Sequence, residues 1–457
     1  MDADVCYRAA RARDARFDGL FFTAVRSTRI FCRPVCPAKT PLRRNVEFFS
    51  NAAAAQAAGY RPCLRCRPEV SPDAPIWSGT SVTVQRALGL IDQGALDSGS
   101  TGELAERLGL TDRHVRRLFL EQLGIPPIAV AESRRTLFAK KLITETNLPF
   151  VEIAFASGFA SLRRFNEAIR KVYDRNPREL RRFTPREPAA TSAIELKLNY
   201  RPPYNWDAFI AFIGPRVIAG LEEVSEFVYR RGEVVVRHNP AGNCLVASIG
   251  PSSARNLRRI TERIRFFFDL RANTQEIAAQ LGKSPILKPL VRRCAGLRLP
   301  GCWDPFEMAV RAILGQQITV KGASTLAGRL AARFGGVQAE VLADADLGLI
   351  GLTKARAESI RAFSRAVADG RIRFDAGVSS AEFMEQLCEL PGIGAWTANY
   401  IAMRCLGDPD AFPASDHGLL RASGISSPRR LEEAAEAWRP WRSYAVMYLW
   451  ESLRGKE

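Results

Sequence analysis

Leu390-Pro391-Gly392-Ile393-Gly394 reads as a tight turn between two helices, and Asp416 follows its last glycine by 22 residues in Phe412-Pro413-Ala414-Ser415-Asp416-His417. Gly392 and Gly394 permit the turn and leave backbone N–H groups free where the second helix begins. Oriented donors and the positive end of a helix dipole make such a terminus a ready phosphate site. The first helix opens on a capping box, Ser379 with Glu382, and carries Phe383, Met384, Leu387 and Leu390 at helical spacing. The second is expected over Ala395 to Cys405, with Trp396, Tyr400 and Met403 recurring at the same period. Alone, a Gly-x-Gly is usually a turn and a loop aspartate is usually a cap or a solvated charge. Together, 22 residues apart, they say more than either does alone.

At this spacing the pair resembles the helix-hairpin-helix, Gly/Pro-rich-loop, catalytic-Asp DNA glycosylases. Gly301-Cys302-Trp303-Asp304-Pro305-Phe306-Glu307, Arg311-Ala312-Ile313-Leu314-Gly315-Gln316-Gln317 and Arg439-Pro440-Trp441-Arg442-Ser443-Tyr444-Ala445 resemble the AlkA-type 3-methyladenine glycosylase II subgroup. The likeness covers roughly residues 193 to 455, including a segment from Leu198 to Trp206 that opens a small β-rich domain in that subgroup. It implies that Asp416 is catalytic and that Gly392 and Gly394 contact DNA. It also implies that Trp396, Tyr400 and Trp450 line the base pocket, and that Leu299 is the wedge filling the vacated stack. Lyase-competent relatives carry a lysine two residues past the second hairpin glycine, where this chain has Trp396. Without that amine no Schiff base forms, so a monofunctional glycosylase is expected, needing no cofactor.

The chemistry suits these residues. Only three histidines occur, His114, His238 and His417, which argues against His-centred acid–base catalysis. A purine alkylated on a ring nitrogen is cationic and its glycosidic bond is already weak, so the leaving base needs no strong acid. A carboxylate facing the developing oxocarbenium ion is needed, and Asp416 fits. The base must first leave the stack at a cost of a few kcal/mol and be held by aromatic faces.

A chain of 457 residues implies three or four domains. Its net charge of +18 is shared by both parts, +11 up to Ala190 and +7 beyond, as a polyphosphate partner favours. Arginine supplies 56 of the 66 basic residues, which a GC-rich genome explains as readily. No apolar run approaches a membrane span and no signal peptide is visible, so a cytoplasmic, nucleoid-associated bacterial protein is expected, with no membrane partner.

Of ten cysteines, six are scattered and read as small hydrophobes. Cys32-x3-Cys36 and Cys63-x2-Cys66, 26 residues apart, have the two-knuckle layout of one tetrahedral zinc site. Residues 17 to 69, with Phe17-Asp18-Gly19, Val25-Arg26-Ser27-Thr28, Asn45-Val46 and Ala58-Gly59-Tyr60-Arg61, resemble the N-terminal domain of the Ada-type methylation-response regulator. That likeness implies that Cys32 takes a methyl group irreversibly from a DNA methylphosphotriester, with Arg33, Arg29, Arg43 and Arg44 holding phosphates.

Residues 82 to 183 read as all-helical. Thr101 to Thr111 is a short helix and glycine turn, and Asp112 begins a second helix with Val115, Leu118, Phe119 and Leu123 inward. The pattern returns at Val151–Phe159 and Leu162–Asn166, with a connecting helix from Pro127 to Thr144. The pair resembles the AraC-type DNA-binding domain, making Arg113, Arg116, Arg117, Arg163, Arg164 and Asn166 candidates for groove and phosphate contact. A Pro-rich linker follows at Phe183–Thr191.

The expected architecture is therefore multidomain α+β. A zinc-stabilised α/β methyl-acceptor domain spans 1–76, an all-α double helix-turn-helix domain 80–185, a small β-rich domain 192–300 and an all-α helix-hairpin-helix glycosylase domain 301–457. The combined reading is an alkylation-response protein acting on damaged and promoter double-stranded DNA, with RNA polymerase a further candidate partner. No Pro-Cys-His-Arg acceptor occurs, so direct reversal of alkylated guanine oxygen is not expected. The alternative is a transcription regulator with structural zinc and an inactive glycosylase-fold DNA-holding module.

Overall fold

The first 72 residues build a four-stranded sheet in the order Val46–Phe49, Phe22–Val25, Ile30–Cys32, Arg61–Pro62. The first three strands are antiparallel, and the last runs parallel to Ile30–Cys32 with Phe31 opposite Pro62. Its core is small: Phe22, Ala24, Phe31, Ala52, Ala55 and Tyr60 on one side, and Cys6, Ala9, Ala10 and Phe21 on the other. So little apolar burial leaves a fold dependent on a cross-link or metal. This is a computed structural model, and it describes residues 2–72, 81–182, 193–374 and 378–454, with Val82 by its backbone only. The linker Phe183–Thr191 lies outside the described residues.

Seven helices follow, from Val82–Asp92 to Pro177–Arg182. Ser100 and Glu103 form a capping box on Thr101–Arg107, Gly109 makes the turn at φ +69°, and Thr111 caps Asp112–Leu123. Phe150–Ala156, Gly158 at φ +85° and Leu162–Tyr173 repeat the unit. Val115, Phe119, Phe165 and Ile169 are buried while Leu118 and Leu123 are half-buried. The connecting helix runs Pro127–Glu145, one residue longer than expected.

The chain forms two compact units. The first comprises Met1–Pro202, Glu233–Arg265 and Leu270–Ala272; the second comprises Pro203–Gly232, Phe266–Asp269 and Asn273–Glu457. In the first, strands Ile194–Asn199, Cys244–Ile249 and Val234–Asn239 pair antiparallel. Arg258 grips Asp97 at 2.7 and 2.8 Å, so the helix Leu257–Phe267 is tied to the helix-turn-helix region.

The second unit is mainly helical, with one hairpin, Glu223–Val224 against Val228–Arg231. Ser380–Cys388 carries the expected Ser379/Glu382 capping box. The helix after the glycine turn differs from expectation. It is α-helical over Ala395–Ile401 and then widens into a π-turn, Ala402–Leu406. Such widenings re-aim side chains and recur at functional sites, and this one carries Arg404.

Candidate DNA-modifying and metal sites

Asp416 is half-buried and caps the helix His417–Ser423, its Oδ1 accepting from the Leu419 N–H at 3.0 Å. The carboxylate does more than cap. Trp396 Nε1–H donates to Oδ2 at 2.9 Å and Trp450 Nε1–H donates to Oδ1 at 3.0 Å. Three donors from three elements thus fix both oxygens. Asp416, Trp396, Tyr400 and Trp450 all line one cavity of about 900 Å³. Tyr400 stacks on Trp396 with centroids 5.4 Å apart and meets Trp450 edge-on at 6.0 Å. Phe212 stacks on Trp450 at 6.0 Å. A cavity of this size with parallel aromatic faces suits a planar heteroaromatic ring.

Gly392 takes φ +75°, and a Cβ there would lie 2.1 Å from Ser359 Oγ. Only glycine fits. Gly394 differs from expectation: its φ is −101°, so the turn does not need it. A Cβ at Gly394 would meet nothing within 4 Å, and no side chain caps the helix that starts there. Its smallness leaves the N-terminus open to an approaching group.

Leu299 is corrected. It is 5% exposed, does not line the cavity, and its N–H is held by Asp269 Oδ2 at 3.0 Å. A side chain packed in the core cannot also stand in a base stack. The exposed, strained feature at the cavity is instead the connection after Gly315, where Gln317 has φ +55° and Ile318 and Val320 line the wall. Gln316 anchors that connection to the hairpin, donating to Gly392 O at 2.8 Å and Thr397 Oγ1 at 2.9 Å. The sequence offered one signal for it, the Gly-Gln-Gln run closing the helix Pro305–Leu314. Also unanticipated were Arg216, Arg311 and Arg404 around Tyr400. The Arg404 Nη1–H donates to Tyr400 Oη at 3.0 Å. Burial pushes the Tyr400 phenol up, but Arg404, Arg216 and Arg311 outweigh it and hold the phenol below its ordinary value.

In the first unit, strand pairing assembles the cysteines. Cys32 ends one strand and Cys63 follows the parallel neighbour, its N–H bonded to Phe31 O at 2.9 Å. Turns then bring back Cys36 (N–H to Arg33 O, 3.1 Å) and Cys66, the latter held by Arg67 N–H to Cys63 O at 3.1 Å. The four sulfurs lie within 4.8 Å of one another. Hydrogen bonding within the set pushes the Cys32 and Cys66 thiols up, draws Cys63 down and lowers Cys36 to about 7. Four sulfur donors at this spacing fit a soft tetrahedral cation, zinc above all. Cys32 is half-buried whereas Cys63 and Cys66 are buried.

Arg33 is also corrected. Its Nε–H donates to Asp18 at 2.9 and 3.1 Å and its Nη1–H to Cys66 O at 3.1 Å, in a pair only 10% and 6% exposed. A guanidinium so engaged holds the metal loop, and is not free for phosphate. Arg29 lies over the Tyr60 ring at 4.8 Å, Arg43 pairs with Asp4 at 3.2 Å, and Arg44 is exposed. On the helix-turn-helix units Arg113, Arg116, Arg117, Arg163, Arg164 and Asn166 are all exposed. Arg116, Arg117 and Arg163 make i,i+4 pairs with Asp112, Glu121 and Glu167, which exposed are worth about 0.5 kcal/mol and open readily.

Residues 5–69 match the metal binding domain of Ada, 104–182 a helix-turn-helix domain, 195–304 the AlkA N-terminal domain and 310–440 the HhH-GPD superfamily of base excision DNA repair proteins. The class is thus an Ada-like regulator joined to an AlkA-type glycosylase fold. Over 479 residues the chain is 41% identical to the "Probable bifunctional transcriptional activator/DNA repair enzyme AlkA" of Mycobacterium tuberculosis, covering 99% of this chain and 97% of that one. It is 32% identical over 280 residues to DNA-3-methyladenine glycosylase 2 of Escherichia coli, across 55% of this chain and 95% of that one. It is 39% identical over 133 residues to the bifunctional transcriptional activator/DNA repair enzyme Ada of the same organism, across 29% and 36%. The chain belongs to the family of bifunctional AlkA-type transcriptional activator/DNA repair proteins. Among the described residues no helix is long and apolar enough to cross a membrane.

Proposed function

We propose that the second unit excises alkylated bases of the 3-methyladenine type from duplex DNA by hydrolysis, leaving an abasic site. One observation carries this reading: the Asp416 carboxylate, oriented by two indoles, forms part of the wall of an aromatic cavity. The extruded base lies against Trp396 and Tyr400, and Asp416 faces the sugar. As the C1′–N bond breaks, its electron pair leaves with the base, and the carboxylate offsets the charge developing on C1′. A water then adds its oxygen to C1′ and gives up one proton, to the carboxylate or to solvent. No lysine lines the cavity among the described residues, which supports a monofunctional reaction. The open N-terminus at Gly394 takes a backbone phosphate, and the strained tip at Gln317 fills the gap in the stack. Base release from methylated duplex DNA tests the reading, and an inert wild-type protein leaves the inactive-module alternative standing.

For the first unit we infer a zinc-bound methylphosphotriester sensor. Zinc supplies the charge that keeps its sulfur ligands as thiolates. Cys32, a half-buried member of the four, attacks the methyl carbon: an S–C bond forms, the C–O bond breaks, and the phosphodiester oxygen keeps the electron pair. Loss of one negative charge at the metal then favours binding to anionic DNA, through Arg44 and the exposed arginines of the two helix-turn-helix units. Promoter activation through RNA polymerase, on cytoplasmic nucleoid DNA, completes the proposal. Mapping methyl to Cys32 by mass spectrometry is its test.

A further inference from the structure

Arg311 is 6% exposed and lines the Asp416 cavity, yet no carboxylate pairs with it among the described residues. Its Nη2–H donates to Ser324 Oγ at 3.0 Å, and its Nε has no partner. Arg216 lines the same cavity, its guanidinium carbon 3.9 Å from the centre of the Phe212 ring and its Nη1–H on Phe212 O at 2.7 Å. It too lacks a carboxylate partner among the described residues. Arg404 is spent on Tyr400 Oη and on the Pro300 and Gly301 carbonyls. Burial lowers Arg311 to about 10, with Arg216 and Arg404 adding to the effect, and the Tyr400 phenol and Glu222 offset it only in part. Buried cations without counter-charge are expensive to maintain, and at an active site they mark a ligand that supplies the missing acceptor. Asp416 does not supply it, because its oxygens are taken by indoles and a backbone N–H.

We propose that Arg311 and Arg216 are specificity-determining residues that sort extruded bases by the charge and oxygen of the departing ring, a refinement resting on the glycosylase reading. They donate to an exocyclic oxygen and take up negative charge as the base leaves. A cationic methylated base departs neutral and needs no such help. An uncharged 6-oxopurine departs as an anion when the C1′–N bond gives up its electron pair, and it takes a proton from solvent afterwards. Guanidinium donors beside the departing ring lower that barrier and do least for a 6-amino base, which presents a donor where they need an acceptor.

Single-turnover excision by the full-length protein from duplexes carrying hypoxanthine, 7-methylguanine or 3-methyladenine tests this. Arg311→Met and Arg216→Met should lower the hypoxanthine rate relative to the 3-methyladenine rate by about tenfold or more, with 7-methylguanine between. Equal loss on all three substrates overturns the proposal. Should Arg311→Met fail to fold, the half-buried Arg216→Met decides it together with a measurement on the wild type. Free hypoxanthine should bind the unmodified protein at least about tenfold more tightly than free adenine, and equal or reversed binding also overturns it. A wild-type protein that releases no base at all sinks the glycosylase reading instead, while the free-base comparison still judges the arginines.

Discussion

Trp396 donates its indole N–H to Oδ2 of Asp416 at 2.9 Å, so the residue standing where a lyase would carry its amine serves here to aim the carboxylate. Asp416→Asn should therefore cut excision about 100- to 1000-fold. DNA affinity should hold, because the amide still caps the His417–Ser423 helix. Trp396→Phe keeps a ring against Tyr400 and loses the donor, so a smaller drop is expected, in the rate constant more than in Kd. Single-turnover rates and DNA titrations check both, and Asp416→Asn turnover within tenfold of wild type would refute the assignment.

The product should be an unbroken strand with an abasic site. Borohydride should trap no covalent protein–DNA adduct, since neither Trp396 nor any cavity residue described offers a primary amine. A trapped band on a denaturing gel ends the monofunctional reading.

The two hairpin glycines should behave differently. Gly392→Ala forces a Cβ to 2.1 Å from Ser359 Oγ in a left-handed backbone, so the second unit should lose about 2 kcal/mol or more of stability. Gly394→Ala meets open space at an ordinary φ, so melting should be unchanged. Its methyl instead crowds the phosphate approach, and DNA affinity should fall with a shallower salt dependence. Equal melting of the two variants would show that the turn geometry is misread.

What the sequence made legible is what short spacings control. The Ser379/Glu382 capping box, the glycine turns at Gly109 and Gly158 and the four-cysteine set follow from neighbours a few residues apart, or from a ligand chemistry with fixed demands. The likeness to the Ada-type domain places Arg33 among the phosphate-holding residues; the decisive partner, Asp18, is fifteen residues away and meets it only in the folded domain. Leu299 stands beside Pro300-Gly301 as a loop leucine would, and only the tertiary fold buries it. Arg216, Arg311 and Arg404 converge from three separate elements on Tyr400, a grouping no local pattern announces. For Arg33 and Leu299 tertiary burial changed the role of a residue the sequence singles out, whereas the three arginines become a group only through the fold.

Arg33→Ala leaves Asp18 as a buried, unpaired charge and should cost the zinc domain about 3 kcal/mol. Chelators should then strip its metal faster. Arg44→Ala, at an exposed position, should leave melting and metal retention alone and weaken DNA binding. Arg33→Ala with wild-type stability and a loss confined to DNA affinity would restore the phosphate role.

On the proposed sensor reading Cys32 is at once a metal ligand and the nucleophile. After incubation with methylphosphotriester DNA the chain should gain one methyl group, on Cys32, and never turn over. The metal site then carries one negative charge fewer, so promoter affinity should rise, by less as salt screens the change. Cys32→Ser can still offer oxygen to a metal, but a hydroxyl is a far weaker nucleophile than a thiolate. That variant should clear no phosphotriester and give no rise in affinity, while it excises bases at the wild-type rate, since Cys32 belongs to the first unit and Asp416 to the second. Phosphotriester repair by Cys32→Ser, or promoter affinity unmoved by methylation at every salt concentration, would leave the four cysteines a purely structural metal site.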